Sequence, residues 1–295
     1  MPVKVATRGS PLARWQAEHV AELLGTDVEL IVVETTGDKR QDVPIWEMGG
    51  RGVFVKEVQA AVLDGRADVA VHSAKDLPSE ATPGLIIGAV PPRGDARDAL
   101  VGCALDDLPT GGRVGTGSVR RRAQIAAYRP DLTFAGLRGN MATRLSKAGE
   151  FEAIVVAAVA LERLGEDARI SEILEPDVML PQVAQGALAV ECREDDEETH
   201  VRLRAIEHGP SRAAVDAERA FLGELGSGCD LPVGAHAVAE GASRLTLTGL
   251  IASLDGRVVL RHTATDLDGP ALGRAVARHL LDNAGGAALM EEIRA

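Results

Sequence analysis

A chain of 295 residues is long enough for two or three domains, each with its own apolar core. A net charge of −12 argues against general nucleic-acid binding, and 45% hydrophobic residues without an apolar run of membrane-spanning length argue for a soluble, cytoplasmic protein with no secretory segment ahead of Val3. Three distant cysteines, Cys103, Cys192 and Cys229, form no Cys-x-x-Cys or Cys/His cluster, which argues against a disulfide framework and against a metal site.

The basic residues are uneven, 27 Arg against 5 Lys. With so many acidic residues, this is the composition expected of a halophile-like protein working in concentrated salt, where screening softens self-repulsion.

From the N-terminus, the apolar run Val3 to Ala6 passes through Thr7-Arg8-Gly9-Ser10-Pro11 into Leu12, Trp15, Val20 and Leu23 at helical spacing, which predicts strand, loop and helix. Ser10 is a good N-cap with Pro11 at the first helical position, so free backbone N–H groups face the loop holding Arg8, a ready site for a carboxylate. Val28 to Glu34 is a second strand. The next loop holds Gly49-Gly50-Arg51-Gly52 and Phe54, and a helix runs from Val55 to Leu63. Three glycines around one arginine read as a flap over 49–60, bearing Arg51, Phe54 and Lys56. Asp68 to Val71 is a third, buried strand ending in His72-Ser73-Ala74-Lys75-Asp76-Leu77-Pro78. Ligands of open α/β sheets bind beyond the carboxyl ends of strands, so Lys75 and Asp76 stand where chemistry is expected. A plain exposed salt bridge is the alternative.

After the strand Leu85 to Val90, Pro91-Pro92-Arg93-Gly94-Asp95 reads as a connector. Arg113 to Arg122 is then a small-residue loop running into a helix that continues to Tyr128. It partly mimics a dinucleotide fingerprint, but Arg120 stands where the third glycine belongs and no Gly-Lys-Ser/Thr follows, which argues against NAD and ATP. Three arginines at a helix start oppose its dipole and call for bound anions. Leu137-Arg138-Gly139-Asn140 opens another helix bearing Arg144, and Ala153 to Ala160 passes from strand into a helix carrying Arg163.

Leu180 to Ala187 is a second connector, leading to the strand Leu188 to Cys192, which could return to the first sheet. Two connectors flanking a middle α/β unit imply two lobes with a cleft and hinge. Ala213 to Leu225 is an amphipathic helix. The loop Leu225-Gly226-Ser227-Gly228-Cys229-Asp230-Leu231-Pro232 follows, then alternating segments Ala235 to Val238, Leu245 to Ile251 and Val258 to Thr263, and a helix from Pro270 to Asn283. These make a small α+β unit with an antiparallel sheet. Cys229 is either a presented thiol or a small buried hydrophobe. Cys103 and Cys192 lie in apolar strand-like runs and read as core. No internal repeat is visible.

Arg8, Arg51, Arg120, Arg121, Arg138 and Arg144 all fall in Gly/Ser-containing loops at predicted strand-to-helix junctions. Guanidinium groups bind carboxylates directionally, so such a set suits a polycarboxylate. Asp76, the lone carboxylate among them, should stay ionised and suits stabilising a cationic intermediate.

Ala-Thr-Arg-Gly-Ser-Pro-Leu-Ala from Ala6, Gly-Gly-Arg-Gly-Val-Phe-Val-Lys-Glu from Gly49, His-Ser-Ala-Lys-Asp-Leu-Pro from His72, Gly-Thr-Gly-Ser-Val-Arg-Arg from Gly115, Leu-Arg-Gly-Asn from Leu137, and Glu218-Arg219 leading to the Cys229 loop together resemble the porphobilinogen deaminase (hydroxymethylbilane synthase) family, collinearly over nearly the whole chain. The resemblance implies two periplasmic-binding-protein-like α/β lobes, residues 1–92 with 186–207 and 93–185, and a small α+β domain over 208–295 carrying the cofactor cysteine.

It also implies a monomeric, cytoplasmic transferase of tetrapyrrole and heme biosynthesis, acting on porphobilinogen without metal, membrane or nucleic acid. A dipyrromethane cofactor would be held by a thioether to Cys229. Four porphobilinogens would be deaminated and joined onto that primer in sequence, giving the linear tetrapyrrole hydroxymethylbilane. By family position Asp76 would be catalytic and would also contact the cofactor, with Lys75, Ser118, Arg120 and Arg121 gripping it, and Arg8, Ser10, Gln16, Arg138, Arg144 and Arg163 taking substrate. Gly117, Arg51, Ala184, Ser227 and Leu231 depart from the commonest family residues. The competing class is a non-enzymatic two-lobed binding protein for a polycarboxylate, which would need neither Asp76 nor the thiol.

Overall fold

The computed structural model describes residues 2–39, 52, 54–226, 231–241 and 244–294. By contacts the chain divides into two compact units, Met1–Gly94 with Gly186–Arg212, and Asp95–Gln185 with Ala213–Ala295.

In the first unit, β1 (Val3–Arg8) leads to α1 (Pro11–Leu24), β2 (Val28–Val33), the single turn α2 (Thr36–Lys39), α3 (Lys56–Leu63), β3 (Val69–Ser73) and β4 (Leu85–Ala89). The Ser10 side chain and Pro11 start α1 as expected, and Gly25, in the left-handed region at φ 59°, ends it by donating to Ala21 and Glu22. In the second unit, β5 (Asp98–Val101), β6 (Arg113–Gly115), α4 (Val119–Tyr128), β7 (Thr133–Ala135), α5 (Met141–Ser146), β8 (Ala153–Ala157), α6 (Ala158–Glu162) and β9 (Glu172–Leu174) follow. The chain then returns to the first unit as β10 (Leu188–Arg193) and α7 (Glu197–Arg204).

The first sheet has the order β2-β1-β3-β10-β4 and the second β7-β6-β8-β5-β9. In both, three strands run parallel and a fourth, β10 or β5, pairs antiparallel on each side. The two sheets therefore repeat one plan, as expected of two similar lobes, although no repeat is visible in the sequence. What recurs is strand direction and order, and these are satisfied by any suitably apolar strand.

Alternate residues of the first sheet face two cores. Val5, Val69 and Val71 pack with Ala17 and Val20 of α1, and Ala6 and Ala70 pack with Val58, Ala61 and Val62 of α3. In the second sheet, Val114 and Val155 pack with Ile125 of α4, while Ile154 and Val156 pack with Leu145 and Leu161. Cys192 is buried in β10, as expected. Cys103 also packs against a core, that of the second sheet, but half-buried and just beyond the end of β5, because the strand stops at Val101 and the chain bends.

The small α+β domain holds α8 (Gly209–Glu224), β11 (Val233–Glu240), β12 (Arg244–Ala252), β13 (Val259–Asp266), α9 (Gly269–Arg278) and α10 (Gly286–Arg294). Its sheet is antiparallel, β11-β12-β13. The helix expected over 270–283 ends as α9 and widens into one π turn over 279–283. α9 crosses α8 at close range: a Cβ on Gly273 would lie 2.1 Å from the Ala217 carbonyl oxygen. Leu250 and Ala252 of β12 pack with Ala123 of α4 and with Leu180, joining this domain to the second sheet. Among the described residues no helix is long and apolar enough to cross a membrane.

Candidate active site

Because β1 and β3 are parallel, their carboxyl ends share one edge of the first sheet, and the expected residues gather there. Arg8 ends β1, with its guanidinium carbon 4.3 Å from the centre of the Phe54 ring, a cation–π contact. Ser10 caps α1, accepting from the Ala13 N–H at 3.3 Å. Gln16, buried in α1, donates to the Ser73 hydroxyl at 2.8 Å and so ties the helix to the end of β3. The next three residues, Ala74–Asp76, form one 3-10 turn in which Lys75 and Asp76 are half-buried. Lys56 is the exposed first residue of α3. Arg51 and Cys229 lie outside the described residues.

Beneath this edge is a polar bolt that no sequence pattern signalled. His72 and Glu191, both buried, approach to 3.1 Å across β3 and β10. Gln59 donates to both Glu191 oxygens, at 3.2 and 2.9 Å, and accepts from Thr82 at 3.1 Å. The network fixes the strand that delivers Asp76.

The second sheet repeats the arrangement. After β6, Thr116 accepts from the Ser118 N–H at 3.2 Å, and Ser118 caps α4, accepting from the Arg121 N–H at 3.4 Å. Gly117 is needed here: a Cβ would lie 2.8 Å from the Leu137 carbonyl oxygen. After β7, Arg138 is half-buried and Gly139 sits at φ 107°, a region closed to most side chains. Asn140 then caps α5 by accepting from Thr143. Arg144 turns back to donate to the Gly139 carbonyl at 2.9 Å. Arg163 ends α6, where burial pushes its guanidinium down to about 10 against the opposing pull of Glu162.

Arg120 and Arg121 are not in an open loop. Both lie inside α4 and are buried, 3% and 6% exposed, around Asp98, which is 0% exposed. Arg121 donates to Asp98 through Nε and Nη2, at 3.0 and 2.7 Å, and through Nη1 to the Val155 carbonyl at 3.0 Å. Arg120 places Nη2 2.8 Å from the other Asp98 oxygen and donates from Nη1 to the Leu180 carbonyl at 2.7 Å. Burial is the largest influence on Asp98 and works upward, but the two guanidinium groups, with Gln185, outweigh it and hold the carboxyl at about 2. Burial in turn draws Arg120 below the ordinary arginine value. The expectation that these arginines need a bound anion is thereby corrected in part, because Asp98 is a built-in counter-ion. It balances only one of two charges.

Two sheets of one plan, each with cationic and capping side chains at the carboxyl ends of parallel strands, define a protein with two similar α/β units. Family models described as "Porphobilinogen deaminase, dipyromethane cofactor binding domain" and "Porphobilinogen deaminase, C-terminal domain" match residues 3–201 and 213–282. The chain belongs to the porphobilinogen deaminase family.

It is 46% identical over 301 residues to the porphobilinogen deaminase of Brevibacillus brevis, covering 99% of this chain and 97% of that one. It is 47% identical over 298 residues to that of a Roseiflexus species, covering 97% of each. Among solved structures, protein PG110 from Staphylococcus aureus overlays with a TM-score of 0.43 at 11% identity, over 74% of this chain and 91% of that one.

The chain is accordingly an enzyme, a transferase of tetrapyrrole biosynthesis that deaminates porphobilinogen and condenses four molecules of it onto a dipyrromethane primer to give hydroxymethylbilane. The second unit fits such a cofactor on its own terms. Arg120 Nε is buried without a hydrogen-bond partner among the described residues, and its cluster carries one positive charge more than Asp98 neutralises. A carboxylate-bearing group answers both.

Proposed function

We propose that Asp76 is the catalytic carboxylate and that Cys229 moors the cofactor. The observation carrying this is the rigid delivery of Asp76: it leaves β3 on a single 3-10 turn held from one side by Gln16 and from beneath by the His72–Glu191–Gln59 network. The Asp76 carboxylate accepts hydrogen bonds from the substrate pyrrole N–H. As the aminomethyl C–N bond breaks and ammonia leaves with the bonding pair, positive charge spreads over that pyrrole and onto the same N–H, where an adjacent fixed carboxylate lowers its energy. Arg8, Ser10, Gln16, Arg138, Arg144 and Arg163 orient the acetate and propionate groups of the substrate. Phe54 and Lys56, with Arg51, cover it.

Lys75, Ser118 and Arg120 hold the cofactor carboxylates. Arg121, whose three nitrogens already donate within the protein, backs them electrostatically. When bound, the dipyrromethane supplies the free pyrrole carbon to which the first substrate is joined.

Intact mass tests both assignments. Protein from a host that makes porphobilinogen should carry two pyrrole units that disappear in Cys229→Ala; an unmodified native chain removes Cys229 from its role. Asp76→Asn should keep the added mass while kcat falls by about 10²- to 10³-fold, the size of effect seen when one preorganised electrostatic partner is lost. Near-normal turnover would take Asp76 out of the mechanism.

A further inference from the structure

The residue at the centre of the second unit's polar cluster is Asp98, which no motif singled out. It opens β5, is fully buried, and is the shared partner of three side chains. One oxygen receives Arg121 and, at 2.9 Å, the side chain of Gln185; the other faces Arg120 Nη2 at 2.8 Å. Gln185 also donates to the Ala96 carbonyl at 2.7 Å, which fixes it relative to the backbone just before Asp98. Arg120 is thus drawn at Nη2 to Asp98 by an ion pair without hydrogen-bond geometry and held at Nη1 by Leu180, and Nε has neither kind of partner among the described residues. A guanidinium has several rotatable bonds behind it, and each one fixed in advance is one less to be ordered on binding. The charge count matters equally. Two buried cations around one carboxylate leave a single positive charge, so the cluster has room for one ligand carboxylate and repels none of the ligand's charge beyond it.

We infer that Asp98, braced by Gln185, is a positioning residue for cofactor binding: it sets the Arg120 guanidinium so that Nε meets a carboxylate of the dipyrromethane, and it neutralises Arg121 so that one such carboxylate balances the cluster. The inference rests on the assignment of Arg120 to the cofactor. Asp98 touches neither cofactor nor substrate and acts through Arg120.

The test compares loaded protein, from a host that makes porphobilinogen, with apo-protein from a host that does not. Two quantities are read: the fraction carrying two pyrrole units by intact mass, and the gap between the thermal midpoints of loaded and apo forms. Asp98→Asn should reduce the loaded fraction at least tenfold and at least halve the gap. A merely structural Asp98 would lower both midpoints together and leave the gap and the loaded fraction at wild-type values, which would overturn the inference. Should Asp98→Asn not fold, Gln185→Met decides. It removes one donor to Asp98 and alters no charge, and it should shrink the gap; an unchanged gap overturns the inference. Arg120→Gln separates the two levels. If it loads normally, the assignment of Arg120 fails and the inference with it. If it fails to load while Asp98→Asn loads fully, only the inference fails.

Discussion

A carboxylate shut away from water keeps its charge only where nearby cations outweigh the lost hydration, and the consequence for Asp98 is a dependence of stability on pH. Its carboxyl lies at about 2 in the folded chain against an ordinary value of 3.8. A depressed carboxyl contributes stability that is fully present above the unfolded value and is lost as pH falls through the folded one. The window is therefore about pH 4 down to about 2, and the contribution is roughly 2 kcal/mol. Urea midpoints measured across that window should fall more steeply for the wild-type chain than for Asp98→Asn; parallel slopes would show that Asp98 does not titrate as argued. Burial works upward on Cys192 as it does on Asp98, but there the nearby Arg193 does not outweigh it and the thiol is pushed up to about 11, so this sulfur is packing material and not a nucleophile. That much was legible in the apolar run around it. The partner of Arg120 and Arg121 was not. Arginines at a helix start stand out in sequence, but their counter-ion opens a different strand, and no local spacing rule links the two.

Caps and turn residues reveal elements well where the rule is local, as with Ser10 and Pro11 before α1. They mislead where a residue serves two purposes: α8 begins at Gly209 and not at Ala213, because Pro210 sits in the first helical turn, where its missing N–H is no loss. The second connector holds a backbone feature at Ala184, a residue that stands out in the sequence only as a departure from the family. Ala184 is the single non-glycine residue with positive φ among those described, at 59°, and its N–H donates to the buried Glu218 carboxylate of α8, whose other oxygen accepts the Ala237 N–H of β11 at 2.8 Å. The left-handed region costs an alanine roughly 1–2 kcal/mol. Glycine removes that strain but adds about 0.5–1 kcal/mol of unfolded-chain entropy. Ala184→Gly should therefore stabilise the chain by about 0.5 kcal/mol, visible as a higher urea midpoint at unchanged m-value. A lower midpoint would mean that the alanine methyl packs well enough to offset its strain.

The two-sheet plan was legible as alternating strands, helices and connectors, yet its repetition was not, for a physical reason. Thr7-Arg8-Gly9-Ser10 and Thr116-Gly117-Ser118 do the same work, a strand end followed by a serine-capped helix, but differ in length and share too few residues to register as a repeat. Whole-chain charge is the property that sequence states outright, 44 acidic against 32 basic residues. Its effect depends on which charges salt reaches. Pairs such as Arg97–Asp95 and Arg193–Asp196 lie within 2.7 Å, closer than the Debye length even in about 1 M salt, where it is roughly 3 Å. The excess negative charges act over longer distances, which at low ionic strength lie inside the screening length and at high ionic strength lie outside it. Added salt should therefore relieve the repulsion more than it weakens the pairs, each of which is worth at most about 1 kcal/mol at a surface. The urea midpoint should rise steadily from about 0.05 to about 1 M KCl, chloride being preferred to sulfate because sulfate strengthens apolar burial in any protein. A flat or falling midpoint, or precipitation in molar KCl of a chain fully active in dilute buffer, would show that the acidic excess carries no such repulsion and that the arginine-rich, lysine-poor composition has another origin.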